Sequence, residues 1–201
     1  MSAVDQAVDA AFEPLRGRPR VDRAAAVVSN LSDFGLVWVV LALIKARRPV
    51  PGRRRAVVAL GAAGVSSLLV SRAAKAAVAR ARPEEHLEAP VRAPTSSSFP
   101  SGHTLAAFCT AVVLPETRVA RAAGVGFAGA VAASRVHLRA HHPTDVLGGA
   151  ALGAVLGVGL RPVVNALAPG RSGRSGGTGR SGRTRRGDEG MRRQHYLLEL
   201  S

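Results

Sequence analysis

The chain has 201 residues, of which 47% are hydrophobic but only 3% aromatic, and a formal net charge of +15. This length fits one domain with tails, and the single Cys109 excludes an intramolecular disulfide. Basic charge beside apolar runs of Ala, Val, Leu and Gly argues for orientation in a membrane rather than for nucleic acid.

Residues 2–23 place Val4, Ala7, Val8, Ala11, Phe12 and Leu15 at helical spacing, with Asp5, Asp9 and Glu13 between them. The segment lacks a basic start and a long apolar core, so it is not a signal peptide. It is expected as an amphipathic helix on the membrane interface, or equally as a surface helix packed on the others. Ala24 to Ile44 is the first expected span, with Asp33 costly near its middle unless it faces the bundle. Lys45, Arg47, Arg48, Arg53, Arg54 and Arg55 then surround a turn at Pro49, Pro51 and Gly52.

Ala56 to Ser71 is the second expected span, extendable by snorkelling arginines. Arg72 to Pro83 is expected to continue as a basic helix that stops near Arg82, because proline disfavours helix in the residue before it. Lys75 and Arg82 would then lie two turns apart on one face and converge on an anion. The plainer alternative is a helix snorkelling at the membrane edge. Residues 84–98 form a polar, proline-containing connection.

Phe99 to Thr104 opens the third apolar run, which reaches Leu114. Ser101 and Gly102 sit where a helix begins, a position that offers backbone N–H groups to an oxyanion, and His103 can point at the same ion. Alone, Ser-Gly-His is more often an ordinary helix cap. Val119 to Ala133 is the fourth run, where Gly126 and Ala130 give a spacing suited to close helix packing. Val146 to Ala168 is the fifth.

Ser134 to Asp145, between those last two runs, holds three histidines, two arginines and an aspartate in twelve residues. Such density beside apolar sequence marks a site, with a plain polar loop as the alternative. Pro143 is tolerated in the first turn of a helix but not in its interior, so a helix is expected to start near His142. That puts His141 at the helix mouth and Asp145 one turn in, on the same side. His137, His141 and Asp145 are also four apart, the spacing of a metal-binding face, but Pro143 argues against one continuous helix. The stronger reading is a nucleophilic His141 with its tautomer fixed by Asp145, and Arg135 and Arg139 beside them imply a phosphate-like anion.

From Pro169 onward the chain is a basic Gly/Ser/Arg-rich tail with repeated Arg-Ser-Gly, expected to be flexible and to meet anionic lipid or water. The organisation read from sequence is therefore an amphipathic helix over 1–23, a membrane-embedded domain over 24–168 and a tail over 169–201. Grouping the 45–55 loop, the 116–121 loop, Arg161 and the tail on one side collects 17 of the 28 Lys and Arg. The positive-inside rule makes that side cytoplasmic, so segments 72–83, 99–104 and 134–145 fall together on the outer face.

Lys75 with Arg82-Pro83, then Pro100-Ser101-Gly102-His103, then Ser134-Arg135 with His141 and Asp145 resemble the tripartite signature of the type 2 phosphatidic acid phosphatase (lipid phosphate phosphatase) superfamily. The likeness spans about 70 residues, and three pieces in register are far more specific than any one. It implies an all-α membrane bundle of about five transmembrane helices and a phosphatase that needs neither cofactor nor metal. By the same resemblance, Lys75, Arg82 and Arg135 bind phosphate oxygens with Ser101 and the Gly102 N–H. His141 attacks phosphorus, His103 protonates the leaving alkoxide, and Asp145 holds His141.

Two positions depart from the pattern: Arg139 stands where a small residue, often glycine, is common, and His142 where an aromatic is common. Arg139 is a candidate for a second phosphate, which would favour a pyrophosphate substrate; the plainer and preferred alternative is that it snorkels to headgroups. Implied substrates are a polyprenyl (pyro)phosphate, a phosphatidate-type lipid or a polyprenyl-phosphoryl sugar phosphate; the short chain is similar to actinobacterial members linked to the last. The expected partners are that lipid phosphate and the surrounding membrane lipids, without nucleic acid, in a multi-pass protein of the cell membrane. Vanadate-dependent haloperoxidases share the signature but are larger and soluble. A basic, non-enzymatic membrane anchor is the remaining alternative.

Overall fold

A computed structural model of the chain describes residues 1–32, 40, 44, 47, 50–83 and 97–169. The described residues form six α-helices and no strand: α1 Ala3–Phe12, α2 Pro19–Ser32, α3 Val50–Ala77, α4 Gly102–Val113, α5 Arg118–His137 and α6 Pro143–Leu167. A 3₁₀ turn, Glu13–Leu15, links α1 to α2.

Helix α4 is the hub, packed against α3, α5 and α6. Ala56, Ala59 and Ala63 of α3 meet Cys109, Val113, Leu114 and Val164 in one buried cluster. Ala107, Ala111, Ala128 and Val131 form a second between α4 and α5. Small residues dominate both, so helix axes approach closely and dispersion over many contacts replaces bulky interdigitation. The closest seam is α4 on α6. A Cβ on Gly149 would lie 2.6 Å from the Ser101 carbonyl oxygen, and one on Gly153 would lie 2.3 Å from that of Leu105. At Gly126, the expected packing position, no described residue comes within 4 Å of an added Cβ; the close seam lies on α6.

Helices Gly52–Ala77 and Pro143–Leu167 are long and apolar enough to cross a membrane. At ~1.5 Å per residue each exceeds the ~30 Å hydrocarbon core. Gly102–Val113 is apolar but shorter. Residues 33–39 and 41–43 of the first expected span, Asp33 among them, residues 84–96 of the polar connection and residues 170–201 of the tail lie outside the described residues.

Two local expectations change. The segment over 2–23 is not one helix: α1 ends at Phe12, Gly17 takes φ 74°, and α2 begins at Pro19, so the boundary at 23 falls inside α2. The basic extension is not helical to Arg82; α3 stops at Ala77. Arg80 N–H instead donates to Ser97 Oγ at 3.3 Å, and Ser98 N–H donates to the Arg80 carbonyl at 2.9 Å. Backbone pairing with 97–98 thus replaces the helical ladder, and Lys75 and Arg82 do not share a helix face. The fifth run behaves as expected: α6 passes through Pro162 and continues to Leu167.

A buried cation ties the helices together at one end of the bundle. Arg55, buried on α3, donates to Asn165 Oδ1 at 2.7 Å and points at the carbonyls of Val113 and Ala168, where α4 and α6 end. A cation there matches the negative ends of two helix dipoles. The opposite end, where α4 and α6 begin, holds the polar residues.

Candidate active site

His142 is the N-cap of α6 and Pro143 its first residue, as Pro143 predicts. Asp145, at the third helical position, accepts the His142 N–H at 2.9 Å, so the helix start fixes the carboxylate. The Asp145 carbonyl in turn accepts the Ser101 N–H at 3.0 Å, joining the starts of α4 and α6.

His141 is 3% exposed, and it is backed by the loop ahead of α4. Its Nδ1 lies 2.7 Å from the Ser98 carbonyl oxygen, and Asp145 Oδ2 is 3.9 Å away. The contact expected to fix the tautomer is therefore made by Ser98, with Asp145 at ion-pair distance. A carbonyl only accepts, so Nδ1 carries the hydrogen and Nε2 carries the lone pair. Nε2 faces Arg82 Nη1 at 3.5 Å, and the same nitrogen of Arg82 donates to the Ala140 carbonyl at 2.8 Å. Burial pushes the His141 imidazole down to about 4; Asp145 opposes this, and Arg135 and Arg82 add to it. The ring is therefore neutral at pH 7 with Nε2 available.

Arg82, Arg139, His141 and His142 line a cleft of about 430 Å³ together with Met1, Asp9, Ala81, Pro83 and Pro143. Lys75 lies in the last turn of α3, within electrostatic range of Arg82, Arg135 and Asp145. Arg135, buried near the end of α5, donates to Ser29 Oγ. Burial lowers the Arg82 guanidinium from its usual value. His103 is half-buried on the first turn of α4. Ser101 caps α4; its hydroxyl accepts from Thr104 at 3.0 Å, and its N–H is taken by Asp145. Gly102 is the first helical residue, where an N–H has no intrahelical acceptor. A Cβ there would stand 3.1 Å from Ser71 Oγ of α3, so the two helices approach closely at this point.

The metal-binding alternative is not assembled. His137 Nε2 lies 2.8 Å from Asp22 Oδ1, while His141 turns to Ser98. Among the described residues no group of three or more His, Cys, Asp or Glu is placed to share an ion.

A family model of the PAP2 superfamily matches residues 56–168. The chain belongs to the PAP2 superfamily. As a PAP2 protein it is a phosphatase, a hydrolase acting on lipid phosphates. It is 35% identical over 148 residues to a decaprenylphosphoryl-5-phosphoribose phosphatase of Mycolicibacterium smegmatis, covering 73% of this chain and 79% of that one. A protein so named in Mycobacterium tuberculosis is 32% identical over 159 residues, covering 77% and 84%. The fold is similar to that of a transmembrane PAP2-type phosphatidylglycerolphosphate phosphatase from Bacillus subtilis, with TM-score 0.60 and 24% identity over 82% of this chain and 86% of the other. It is equally similar to LpxE of Aquifex aeolicus, with TM-score 0.59 and 23% identity over 78% and 94%. The all-helical membrane-phosphatase fold is that of the PAP2 family.

Around this PAP2 centre stand residues that sequence reasoning did not single out. Ser98 gives its carbonyl to His141 and its hydroxyl to Asp145 Oδ2 at 2.8 Å. Arg80 Nη1 donates to Asp145 Oδ1 at 2.7 Å, and its Nη2 donates to Asp5 Oδ2 at 2.6 Å. Asp5 Oδ1 accepts from both N–H and hydroxyl of Thr144. Arg16 carries Asp9 and Glu13 while donating to the carbonyls of Val136 and His137, which closes the end of α5. Only Ser2-x-x-Asp5 had a readable signal, as a capping box; its docking partners are 75 and 139 positions away. His142, in place of an aromatic, reaches the Ala81 carbonyl at 3.3 Å.

Proposed function

We propose that this PAP2 phosphatase is a multi-pass membrane enzyme that removes a terminal phosphate from a polyprenyl-phosphoryl sugar phosphate, through a phosphohistidine at His141 and without a metal ion. The observation that carries the reading is the buried His141, its Nδ1–H engaged by Ser98 and its Nε2 turned to Arg82 in an open cleft. In this reading Lys75, Arg82, Arg135, the Gly102 N–H and the Ser101 hydroxyl hold the phosphoryl oxygens. Charge neutralisation and positioning dominate such transfers.

The Nε2 lone pair attacks phosphorus, the N–P bond forms as the ester P–O bond breaks, and the leaving alkoxide takes a proton from His103. That proton is worth ~10²–10⁴-fold in rate. Water then attacks the phosphohistidine and gives its proton to His103, releasing phosphate and restoring Nε2. Asp145, 3.9 Å from Nδ1, stabilises the positive ring of the intermediate.

The sugar-phosphate substrate is favoured over a polyprenyl (pyro)phosphate or a phosphatidate-type lipid by the names of the relatives that match over most of this chain. Arg139 lines the cleft with Arg82 and His141, and in this reading it meets the substrate's second phosphate group. The distribution of Lys and Arg supports an extracytoplasmic site, a membrane domain over 24–168 and a cytoplasmic tail. Cysteine accessibility of 45–55 against 84–98 in intact cells tests the sidedness.

The deciding experiment measures phosphate release by detergent-purified protein over a panel of lipid phosphates with EDTA present, beside His141→Ala. Release that survives EDTA and vanishes in the variant supports the mechanism, and its ranking names the lipid. Release abolished by EDTA, or equal in His141→Ala, overturns it.

A further inference from the structure

The carboxylate of Asp5 lies on the N-terminal helix, outside all three pieces of the phosphatase signature, yet it is 0% exposed. Four donors converge on it. Ser2 N–H and Arg80 Nη2 reach Oδ2 at 3.0 and 2.6 Å, while the N–H and hydroxyl of Thr144 reach Oδ1 at 2.9 and 2.7 Å. Asp5 is the third helical residue of α1 and Thr144 the second of α6, so one carboxylate satisfies orphan donors at two helix starts. Burial pushes its carboxyl up, but Thr144, Ser2 and Arg80 together hold it well below the usual carboxylate range. It is a fixed negative charge.

Arg80 is shared. Its Nη1 donates to Thr144 Oγ1 at 2.6 Å and to Asp145 Oδ1 at 2.7 Å, while Nη2 serves Asp5. The guanidinium fork therefore divides one positive charge between two buried carboxylates, in a row that runs Asp5, Arg80, Asp145 and then His141. With Asp5 charged, Arg80 neutralises Asp145 incompletely, and Asp145 keeps negative potential toward the His141 ring. With Asp5 neutral, the full charge of Arg80 falls on Asp145 and the ring loses that support.

We propose that Asp5 is a positioning residue of the active site: through Arg80 it sets the orientation and effective charge of Asp145, so the N-terminal helix is part of the catalytic centre. This rests on the reading of His141 as the phosphorylated residue. Asp5 acts on the step in which the ring becomes cationic, not on substrate binding, and the effect belongs in kcat.

The test compares wild type, Asp5→Asn, Arg80→Gln and the double variant, with His141→Ala alongside, in phosphate release from a polyprenyl-phosphoryl sugar phosphate in detergent micelles. Asp5→Asn is expected to lower kcat about tenfold or more with KM within about twofold, as coupled buried charges do. The double variant, which removes the unopposed cation together with the anion, recovers most of that loss. A mere structural anchor predicts the opposite, a double variant no better than the worse single one, and that result overturns the proposal. So does an unchanged kcat in Asp5→Asn. If Asp5→Asn does not fold, the double variant and Arg80→Gln carry the comparison.

Absence of release from wild type, or full release from His141→Ala, defeats the phosphatase mechanism and leaves the electrostatic claim to a second readout. In protein labelled with ¹³C at histidine Cε1, the His141 titration midpoint must fall in Asp5→Asn and rise in Arg80→Gln. A midpoint unmoved in both overturns the proposal whatever the activity.

Discussion

The carbonyl of Ser98 accepts the Nδ1 hydrogen of His141 at 2.7 Å, and the Ser98 hydroxyl donates to Asp145 at 2.8 Å. One residue of the loop ahead of α4 thus orients the imidazole with its backbone and the carboxylate with its side chain. Substitution separates the two functions. Ser98→Ala deletes the hydroxyl bond but keeps the carbonyl, so the tautomer persists and Asp145 loses one of its donors. A hydrogen bond to a charged group is worth ~1.5–3 kcal/mol, so kcat is expected to fall roughly 10- to 100-fold. Asp145→Asn removes the charge itself and should fall further. Equal losses in the two variants would show that the orientation given by the Ser98 hydroxyl matters as much as the Asp145 charge, and steady-state kinetics decides.

The buried His141 makes stability depend on pH in a defined window. Its folded value lies near 4 and its unfolded value near 6.5, so between them the unfolded chain binds more protons. The contribution is complete above about 6.5, is lost as pH falls toward 4, and is constant below that. The window is worth about 3 kcal/mol at ~1.36 kcal/mol per pH unit. His141→Asn, whose amide can still donate to Ser98, should lose this dependence. Thermal melts in detergent from pH 7.5 to 3.5 are expected to show wild type falling toward the variant as pH drops. Parallel curves would place the imidazole in contact with water.

The helix starts at Ser101 and His142 were legible because serine and proline act locally, within one turn. The meeting of Lys75, Arg82, Arg135, His141 and Asp145 was legible only through three short patterns in register. Arg80 and Asp5 were not. Nothing local distinguishes Arg80 from its neighbours Arg72 and Arg82, and its two carboxylates are brought to it by folding from positions 5 and 145. Nor could a sequence say that α3 ends at Ala77, because its competitor is the backbone pairing of Arg80 with 97–98 across the chain.

Arg139 adopts φ 51°, the left-handed region that favours glycine, which explains why a small residue is common at this position. What holds it is the pair to Glu13 at 2.9 Å, and Arg16 and Arg139 together keep that carboxyl below its usual value. Glu13 is exposed, so solvent screens the pair and it adds little to stability. Arg139→Ala loses the pair and keeps the strain, whereas Arg139→Gly loses both. Chemical denaturation should find the glycine variant about 1 kcal/mol more stable than the alanine variant. On substrates, loss confined to two-phosphate lipids supports the role proposed for Arg139; equal loss on monophosphates removes it.

Two glycines in helix interiors should respond in opposite directions to one added methyl group. At Gly153 the new Cβ would stand 2.3 Å from the Leu105 carbonyl oxygen and 3.1 Å from the Cys109 nitrogen, both backbone atoms that no rotamer can move aside. Helix α6 would have to lift from α4, opening the seam that also joins Ser101 to Asp145. Overpacking of this kind costs ~1–3 kcal/mol or more, and Gly153→Ala is expected to lower both the melting temperature and phosphate release. At Gly126 an added Cβ meets no described residue within 4 Å, so among these residues only backbone entropy changes. Gly126→Ala should gain up to ~1 kcal/mol from helix propensity and leave activity unchanged. Paired melting curves check both, and destabilisation by Gly126→Ala would mean that α5 packs there against a further helix or a second molecule.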